Sequence, residues 1–354
     1  MTDANDLLTA ERLDRAIGAV LGSAAGDALG APYEFKPSLP DDVPVVFKAG
    51  GPWELGEWTD DTSMAVPILQ ALARGESLTD AAVLGRIAGA WKHWATDAKD
   101  VGIQTRQVLG ATTFRSVEPH VMSEDDVRAS AKRVHDATGR SAGNGSLMRT
   151  GPVALGFLGD GAGEGADAGA AAGAGQQDQV QALAVAARRV SELTHYETDA
   201  GDACVVWSLA IRHAIRTGEY DVRTAVDALP EERRARWYGF LDVAERTQPR
   251  DIPGSNGWVV AAMQAAWSAI HHAEVAGEGM QQTLERAVRC GNDTDTVAAI
   301  AGSLAGAKWG ASAVPALWRA ELHGWPGLRA DDLARLAEHA VGGDAGDAAE
   351  AADA

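Results

Sequence analysis

The sequence predicts an all-α fold from three observations. Apolar residues recur at helical spacing along most of the 354-residue chain, and stretches that alternate apolar and polar residues are scarce. The third observation is a stripe of glycines, Gly18, Gly22 and Gly26, on one face of the first helical stretch. Because a helical glycine costs roughly 1 kcal/mol relative to alanine, this stripe predicts that a second backbone packs closely against the first.

The predicted helices follow one another along the chain. The first contains Leu13, Ile17, Val20 and Leu21, whose spacing places all four side chains on one helix face. Residues 43–47 are the one weak candidate for a strand. The further stretches with helical spacing are residues 63–74, 81–94, 179–193, 201–216, 256–273, 280–289, 296–309 and 331–340.

The composition excludes several classes of function. Hydrophobic residues make up 46% of the chain, enough for a substantial core, and 31 basic against 50 acidic residues give a net charge of −19. A charge of this sign argues against a nucleic-acid groove or an anionic membrane surface as the general partner. The two cysteines match no disulfide framework or zinc motif, and the longest apolar run, residues 297–307, is too short to span a bilayer. We therefore expect a soluble, cytoplasmic protein.

Low-complexity segments define the predicted domain boundaries. Residues 159–177 are rich in glycine and alanine and contain no large apolar side chain, which is typical of a flexible surface insertion. Residues 341–354 predict a disordered acidic tail, and residues 1–11 predict a flexible N-terminus. Because the motifs described next lie on both sides of the insertion, we predict a single domain over residues 12–340.

Two short acidic segments carry the strongest chemical signal. Residues 59–62 (TDDT) and 293–296 (DTDT) each place two carboxylates and two threonines just before a run of small apolar residues. Such carboxylates repel one another unless a cation lies among them, and a set of oxygen ligands suits Mg²⁺ or Mn²⁺. Four carboxylates match the charge of two divalent ions. The alternative is that each segment is an ordinary helix N-cap, a position that favours threonine and aspartate.

Further segments join the acidic ones in a recognisable order. They are residues 26–35 (GDALGAPYEF), 143–149 (GNGSLMR), 194–195 (TH) and 291–296 (GNDTDT) with the small-residue stretch that follows. In this order and spacing the set resembles the ADP-ribosylglycohydrolase family over residues 12–312. The resemblance implies a compact all-α fold, a centre of two Mg²⁺ or Mn²⁺ ions, and removal of ADP-ribose from modified side chains or from small ADP-ribosyl compounds.

The resemblance assigns roles to the acidic residues. Glu34 lies where the family has an acidic residue near the metals, and it is the first candidate for an acid–base role, with Asp61 and Asp295 as the other catalytic candidates. Asp27 has two open roles, one in catalysis and one as a helix cap or a support for the ligands. The implied metal ligands are Thr59, Asp60, Asp61, Asp293, Asp295 and Thr296.

The same resemblance predicts the residues that face the substrate. Residues 100–105 (DVGIQT) resemble a helix start that faces the diphosphate, although an ordinary helix N-terminus is the alternative. Residues 141–145 resemble a second ligand-facing loop, whose glycines permit close backbone approach. His195 is interpreted as a contact of the distal ribose, or as a histidine hydrogen-bonded at a helix end. The candidate substrate-binding residues are Asp100, Gly102, Thr105, Ser141, Gly143, Asn144, Gly145 and His195.

Three positions near these motifs have their own expectations. Arg149 either supports the acidic residues or forms a surface salt bridge, and Asn292, where a glycine is common, is expected to adopt a positive φ angle. Ala142 stands where some relatives have an aromatic residue that stacks on adenine. The alternative stacking candidates are Trp53, Trp58, Trp94 and Phe114.

Together these residues predict a metal-dependent hydrolase that acts on ADP-ribosylated proteins or small ADP-ribosyl compounds. Clustered carboxylates suit the positive charge that develops at the anomeric carbon when a glycosidic bond is cleaved. The Tyr33–Phe35 segment favours arginine as the acceptor, and serine, O-acetyl-ADP-ribose and a modified nucleobase stay open. The alternatives are a two-metal phosphoesterase or nucleotide hydrolase, and a module that binds ADP-ribose without cleaving it.

Overall fold

The structure is a computed structural model that describes residues 9–116, 120–159 and 170–342. These residues are mostly helical, so the predicted all-α class is confirmed. Within them the only sheet is a short antiparallel pair, β1 (His323–Gly324) and β2 (Leu328–Arg329), and no helix is long and apolar enough to cross a membrane. The helices are α1 (Ala10–Gly30), α2 (Asp60–Ala73), α3 (Ala81–Trp94), α4 (Ile103–Gly110), α5 (Glu124–Thr138), α6 (Ala170–Glu192), α7 (Thr198–Thr217), α8 (Val222–Ala225), α9 (Glu231–Arg246), α10 (Val259–Val275), α11 (Met280–Val288), α12 (Thr294–Trp309), α13 (Ala316–Glu321) and α14 (Ala330–Gly342).

Helices α1 and α12 form the centre of the fold. They run antiparallel with their backbones in contact. A Cβ atom added to Gly22 would lie only 2.4 Å from the Gly302 oxygen, and one added to Gly26 would lie 2.1 Å from the Ala298 oxygen. This contact confirms the prediction from the glycine stripe. Helices α7, α10 and α11 pack on α12, while α2 and α14 pack on α1. The end of α1 therefore lies beside the start of α12.

Several element boundaries differ from the sequence prediction. Helix α2 begins at Asp60 rather than at residue 63, and α12 begins at Thr294 rather than at residue 296, so the acidic residues lie in the first helical turns. Helices α5 and α9 were not predicted, because each has a charged sequence with a narrow apolar face. In α9 that face consists of Trp237, Leu241 and Ala244.

The predicted strand at residues 43–47 is wrong. The backbone there is irregular, and the Val46 amide and carbonyl bond to the Tyr33 hydroxyl at 2.7 and 2.9 Å. A tyrosine side chain thus satisfies the polar groups that a neighbouring strand would otherwise have paired. The aromatic ring of Phe47 stacks on Trp318 instead of joining a sheet face.

The predicted boundary segments lie partly outside the described residues. Residues 160–169, 1–8 and 343–354 are not described, so the predictions for them stay predictions. Helix α6 begins at Ala170, inside the predicted insertion 159–177, and its first residues are alanines, which have the highest helix propensity.

Candidate active site

The Asp27 carboxylate connects the end of α1 to the start of α2. It accepts hydrogen bonds from the Thr59 and Thr62 amides at 2.9 and 3.0 Å and from the Thr62 hydroxyl at 2.6 Å. Burial raises the pKa of Asp27 to about 6, and these hydrogen bonds oppose the shift. Of the two roles that the sequence left open, the contacts are those of a helix cap.

The two acidic segments meet across the α1–α12 contact. The Thr59 hydroxyl lies 2.9 Å from Asp61 Oδ2 and 3.5 Å from Asp295 Oδ2, and it is also 3.5 Å from Asp60 Oδ1. Thr59 and Asp295, which are 236 positions apart in the chain, thus contact each other. We call Glu34, Asp60, Asp61, Asp293 and Asp295 the acidic cluster.

A backbone bridge brings Glu34 to the acidic cluster. The Phe35 amide donates to the Asn292 carbonyl and the Asn292 amide donates to the Lys36 carbonyl, both at 2.7 Å. Asn292 has φ +57°, which confirms the expected positive angle, and Phe35 has the same value. The bridge thereby holds Glu34 close to Asp293 and Asp295.

Burial and mutual repulsion raise the pKa values of the acidic cluster. Burial is the larger cause for Asp60, Asp61 and Asp295, whose pKa values lie well above the ordinary range, and neighbouring carboxylates add to the shift. Burial also raises the pKa of Glu34 to about 8, and Asp293 makes the largest charge contribution. In the absence of a cation, protons therefore occupy part of the cluster at neutral pH.

The donor set of the acidic cluster fits divalent cations. No carboxylate of the cluster forms an ion pair with a basic side chain of the described residues, and Asp61 Oδ1 is buried without a hydrogen-bond partner. Carboxylate oxygens of Asp27, Asp61 and Asp295 lie within 4.8 Å of one another, as do those of Glu34, Asp293 and Asp295. The two groups share Asp295, and their carboxylate oxygens form a ligand set that suits a hard divalent cation.

The N-cap alternative for the acidic segments does not fit the geometry. Thr59 and Asp293 occupy the N-cap positions of α2 and α12, but neither side chain accepts a capping hydrogen bond from a backbone amide of its helix. The Thr59 hydroxyl turns toward carboxylates, and Asp293 accepts from the Asn144 amide group at 2.7 Å. The predicted ligand Thr296 is buried on α12, and its amide donates to Asp295 Oδ1 at 2.9 Å.

The predicted loop at residues 141–145 lies against the same site. Its Asn144 side chain donates to Asp293 and to the Asn256 carbonyl, so it orients a predicted metal ligand. Ser141 is buried, and its hydroxyl shares a hydrogen with His135 Nδ1 at 2.8 Å. Gly143 and Gly145 face the His195 ring, where an added Cβ atom would lie 3.2 Å from ring atoms.

A buried chain of hydrogen bonds supports this loop from below. Arg149 donates to the Thr194 hydroxyl at 2.7 Å, and that hydroxyl lies 2.8 Å from His195 Nδ1. Burial and the Arg149 charge hold the pKa of His195 well below its usual value, so the ring is neutral. His195 is only 2% exposed.

The predicted surface salt bridge of Arg149 is wrong, whereas its charge lies close enough to Asp60 of the acidic cluster for the two to attract. Arg149 is fully buried, stacks on Trp91 at 3.9 Å and bonds to the Val190 carbonyl and Thr194, and it forms no ion pair within the described chain. Burial lowers its pKa to about 9, so it stays charged at neutral pH. The sequence could not separate these cases, because the stacking partner is 58 positions away in the chain.

The remaining predicted residues lie on two sides of the site. Thr105 is buried in α4 near Gly145, and Gly102 precedes that helix. Asp100 raises the pKa of Asp60, after burial, and so lies close to the acidic cluster. Two contributors were missed by sequence reasoning, Gln104 and Asn256. Gln104, which lies inside the predicted segment 100–105 but was not assigned a role, bonds to the Ser141 and Thr194 carbonyls, and Asn256 bonds to the Gly291 carbonyl; no local pattern marks Asn256.

This arrangement has a counterpart in a known family. Residues 8–349 match the ADP-ribosylglycohydrolase family. The chain belongs to this family. The predicted family is therefore confirmed, and so is the predicted class of enzyme, an ADP-ribosyl glycohydrolase.

Several members of the ADP-ribosylglycohydrolase family are similar to the chain over most of its length. ADP-ribosylarginine hydrolase Tri1 of Serratia proteamaculans is 25% identical over 342 residues, which cover 93% of this chain and 79% of the relative. The ADP-ribosyl-dinitrogen reductase glycohydrolase of Rhodospirillum rubrum is 29% identical over 317 residues, covering 87% and 90%. A solved structure described as an ADP-ribosylglycohydrolase-related protein complex aligns with a TM-score of 0.63 at 26% identity, covering 94% of this chain and 99% of that one.

Proposed function

We propose that this enzyme hydrolyses the glycosidic bond between ADP-ribose and an arginine side chain of a modified protein, with two divalent cations in the acidic cluster. The observation that carries the proposal is the meeting of two acidic segments whose carboxylates have no basic partner in the described chain. Two similar proteins at 25% and 28% identity are named ADP-ribosylarginine hydrolases, which supports arginine as the acceptor. Two buried free cysteines, Cys204 and Cys290, suit the cytoplasm as its location.

The predicted ligands hold the cations in this proposal. When bound, Mg²⁺ or Mn²⁺ would neutralise the cluster, align the ribose hydroxyls and lower the pKa of a water molecule. The buried and unpartnered Asp61 Oδ1 is an atom that a cation would satisfy. The ligand residues are Thr59, Asp60, Asp61, Asp293, Asp295 and Thr296.

The reaction breaks the bond between the anomeric carbon and a guanidinium nitrogen. A water oxygen forms the new bond to carbon, the bonding electron pair leaves with the nitrogen, and a proton from water reaches that nitrogen. Glu34 moves this proton, because its carboxylate lies with those of Asp293 and Asp295 at the acidic cluster. Asp61 and Asp295 stabilise the positive charge at the anomeric carbon. Around them Gly102, Gly143 and Gly145 provide close backbone approach for the diphosphate, and His195 supports the second loop.

A product assay tests this function. The purified protein is incubated with Mg²⁺ or Mn²⁺ and with arginine- or serine-ADP-ribosylated peptides, and products are identified by mass spectrometry, with EDTA as the control. We expect metal-dependent release of intact ADP-ribose and unmodified arginine peptide. Release of AMP or phosphate would identify a phosphoesterase, and ADP-ribose binding without any product would identify a binding module.

A further inference from the structure

A cavity of about 180 Å³ opens beside the metal-binding end of α2. Its aromatic walls are Trp53, Trp58, Trp94 and Trp325, and we call it the tryptophan pocket. The Trp58 ring is fixed by a hydrogen bond from its Nε1 to the Trp325 carbonyl, and Gly324 leaves room for it, since a Cβ atom there would lie 2.3 Å from that nitrogen. The pocket borders Thr59 and Asp60, so its occupant lies next to the acidic cluster.

The tryptophan pocket has the charge and surface that a cation requires. Asp97 and Asp100 line it, and neither forms an ion pair with a basic side chain of the described residues. At its rim the Lys99 ammonium lies 5.3 Å from the Trp53 ring centre and bonds to both Glu57 oxygens, at 2.5 and 2.7 Å. A cation of this chain therefore already uses an aromatic face and a carboxylate of the pocket. Asp97, which is exposed, and Asp100, which is partly buried, have no such cation among the described residues.

The tryptophan pocket lies beside the segments that are predicted to face ADP-ribose, and of the predicted substrate-binding residues it includes only Asp100. Thr105, Gly143 and Gly145 surround His195, and no described residue between 102 and 145 lines the pocket. In ADP-ribosyl conjugates the diphosphate and the acceptor are attached at different carbons of the distal ribose. With the diphosphate at those loops, as the family resemblance predicts, and the ribose at the acidic cluster, the pocket that borders Thr59 and Asp60 provides a space for the acceptor.

We propose that the tryptophan pocket binds the guanidinium group of the arginine acceptor, with its flat faces against tryptophan rings and its N–H groups directed to Asp97 and Asp100. The inference rests on the proposed hydrolase function and adds the structural basis of its acceptor choice. Planar guanidinium groups both stack on aromatic rings and form paired hydrogen bonds with carboxylates. A serine acceptor is neutral and small, and it would use neither property. Asp100 accordingly belongs to the acceptor side, since a carboxylate repels a diphosphate.

Steady-state kinetics on ADP-ribosyl-arginine, paired with calorimetric binding of ADP-ribose, test the assignment. We expect Asp97→Lys to raise KM for ADP-ribosyl-arginine roughly tenfold or more, because a charged hydrogen bond is lost and a like charge is added. The ADP-ribose Kd should stay unchanged. Asp97→Glu should restore most of the lost affinity, and Trp53→Leu should raise KM without changing the ADP-ribose Kd. Glu338→Lys, an exposed charge reversal near the end of α14, is the matched control.

The outcomes separate this inference from the function on which it rests. If KM is unchanged in both pocket variants, or if their affinity for ADP-ribose falls by the same factor as for the substrate, the guanidinium assignment is wrong. The second result would identify the pocket as the adenine site. If the wild-type enzyme releases ADP-ribose from serine but not from arginine conjugates, the hydrolase stands and the pocket assignment falls. Release from neither substrate overturns the proposed function and the assignment together.

Discussion

The buried aspartates Asp27 and Asp61 differ in the hydrogen bonds of their carboxylates, and this difference separates their roles. Asp27 receives three hydrogen bonds from the start of α2, whereas Asp61 keeps one buried oxygen without any partner. A buried carboxylate oxygen without a partner is costly, and a cation removes that cost. The contrast supports Asp61 as a ligand and Asp27 as the residue that positions the ligand segment.

Replacing a cluster carboxylate should have opposite effects on activity and stability. We expect Asp295→Asn to reduce kcat roughly 100-fold or more and to weaken cation binding. The loss of a residue that binds the cation directly has a larger effect than the loss of a residue that only supports such a ligand. The same change should raise the melting temperature in EDTA at pH 8, because it removes an unpaired buried charge. Calorimetry with Mn²⁺ and thermal unfolding measure the two effects.

Asp202→Asn is the matched comparison. Asp202 is also fully buried, but Arg188 and Arg233 pair with it at 2.6 and 2.7 Å. Breaking a buried pair costs about 3–5 kcal/mol, so this variant should lose stability and keep its cation affinity. A lower melting temperature for Asp295→Asn in EDTA would contradict the role given to the cluster.

Among single residues, the sequence predicted those whose side-chain type alone indicates a chemical role. The acidic and threonine residues of the two segments could be identified because carboxylates beside a small-residue run are unusual. Asn144, Gln104 and Asn256 act through amide groups placed by the fold, and amides occur in many surface positions. Their roles depend on contacts between distant segments, which no local spacing encodes.

Among the elements, the pair α1 and α12 determines the geometry of the site. Gly302 and Gly306 of α12 face Gly22 and Gly18 of α1 so closely that a Cβ atom on Gly302 would lie 2.0 Å from the Gly22 oxygen. Backbone is not free to move as a side chain is, so a larger residue must separate the helices. Separation would pull Asp295 away from Asp61.

We expect Gly302→Ala to destabilise the protein by roughly 2–3 kcal/mol through overpacking and to weaken cation binding. Gly239→Ala is the control, because Gly239 lies on α9 with nothing within 4 Å of its added Cβ. That change should instead stabilise by roughly 0.5–1 kcal/mol. Chemical denaturation measures both values, and a neutral result for Gly302→Ala would refute the close contact.

The helices were predictable where apolar periodicity is strong and less so elsewhere. The glycine stripe of α1 indicates a close helix pair by residue type alone, because glycine is unfavourable in a helix that lacks such a neighbour. Helices α5 and α9 are mostly charged, and their stability comes from packing of a few residues, such as Trp237, that the local pattern does not reveal. The strand prediction failed because Tyr33, rather than a second strand, pairs with Val46.

For the whole molecule, we expect the acidic cluster and the neighbouring Asp27 to make stability depend on pH. The pKa of Glu34 is raised to about 8 and that of Asp27 to about 6, against ordinary values of 4.5 and 3.8. A raised pKa means that the folded state binds protons more tightly than the unfolded chain, so its contribution is complete at low pH and is lost as pH rises. The window for this loss runs from the ordinary values up to about pH 8.

In EDTA the melting temperature should therefore fall between about pH 5.5 and pH 8.5. Glu34→Gln should make this slope shallower, because the amide does not titrate. Saturating Mg²⁺ or Mn²⁺ should raise the melting temperature most at the alkaline end, where protons no longer neutralise the cluster. A melting temperature that rises with pH in EDTA, or that ignores added cation, would show that the cluster is not a cation site.

The candidate site joins segments that are far apart in the chain, so it cannot form before both segments have been synthesised. Helix α1 starts at Ala10, yet α12, its partner, starts only at Thr294. At ribosomal speeds the interval between their syntheses is on the order of tens of seconds. Throughout that time the nascent chain carries Asp60 and Asp61 without their counterparts and a small-residue face of α1 without its cover. We therefore expect hydrolase activity only after α12 has been synthesised, and a chain that stops before α12 should be inactive.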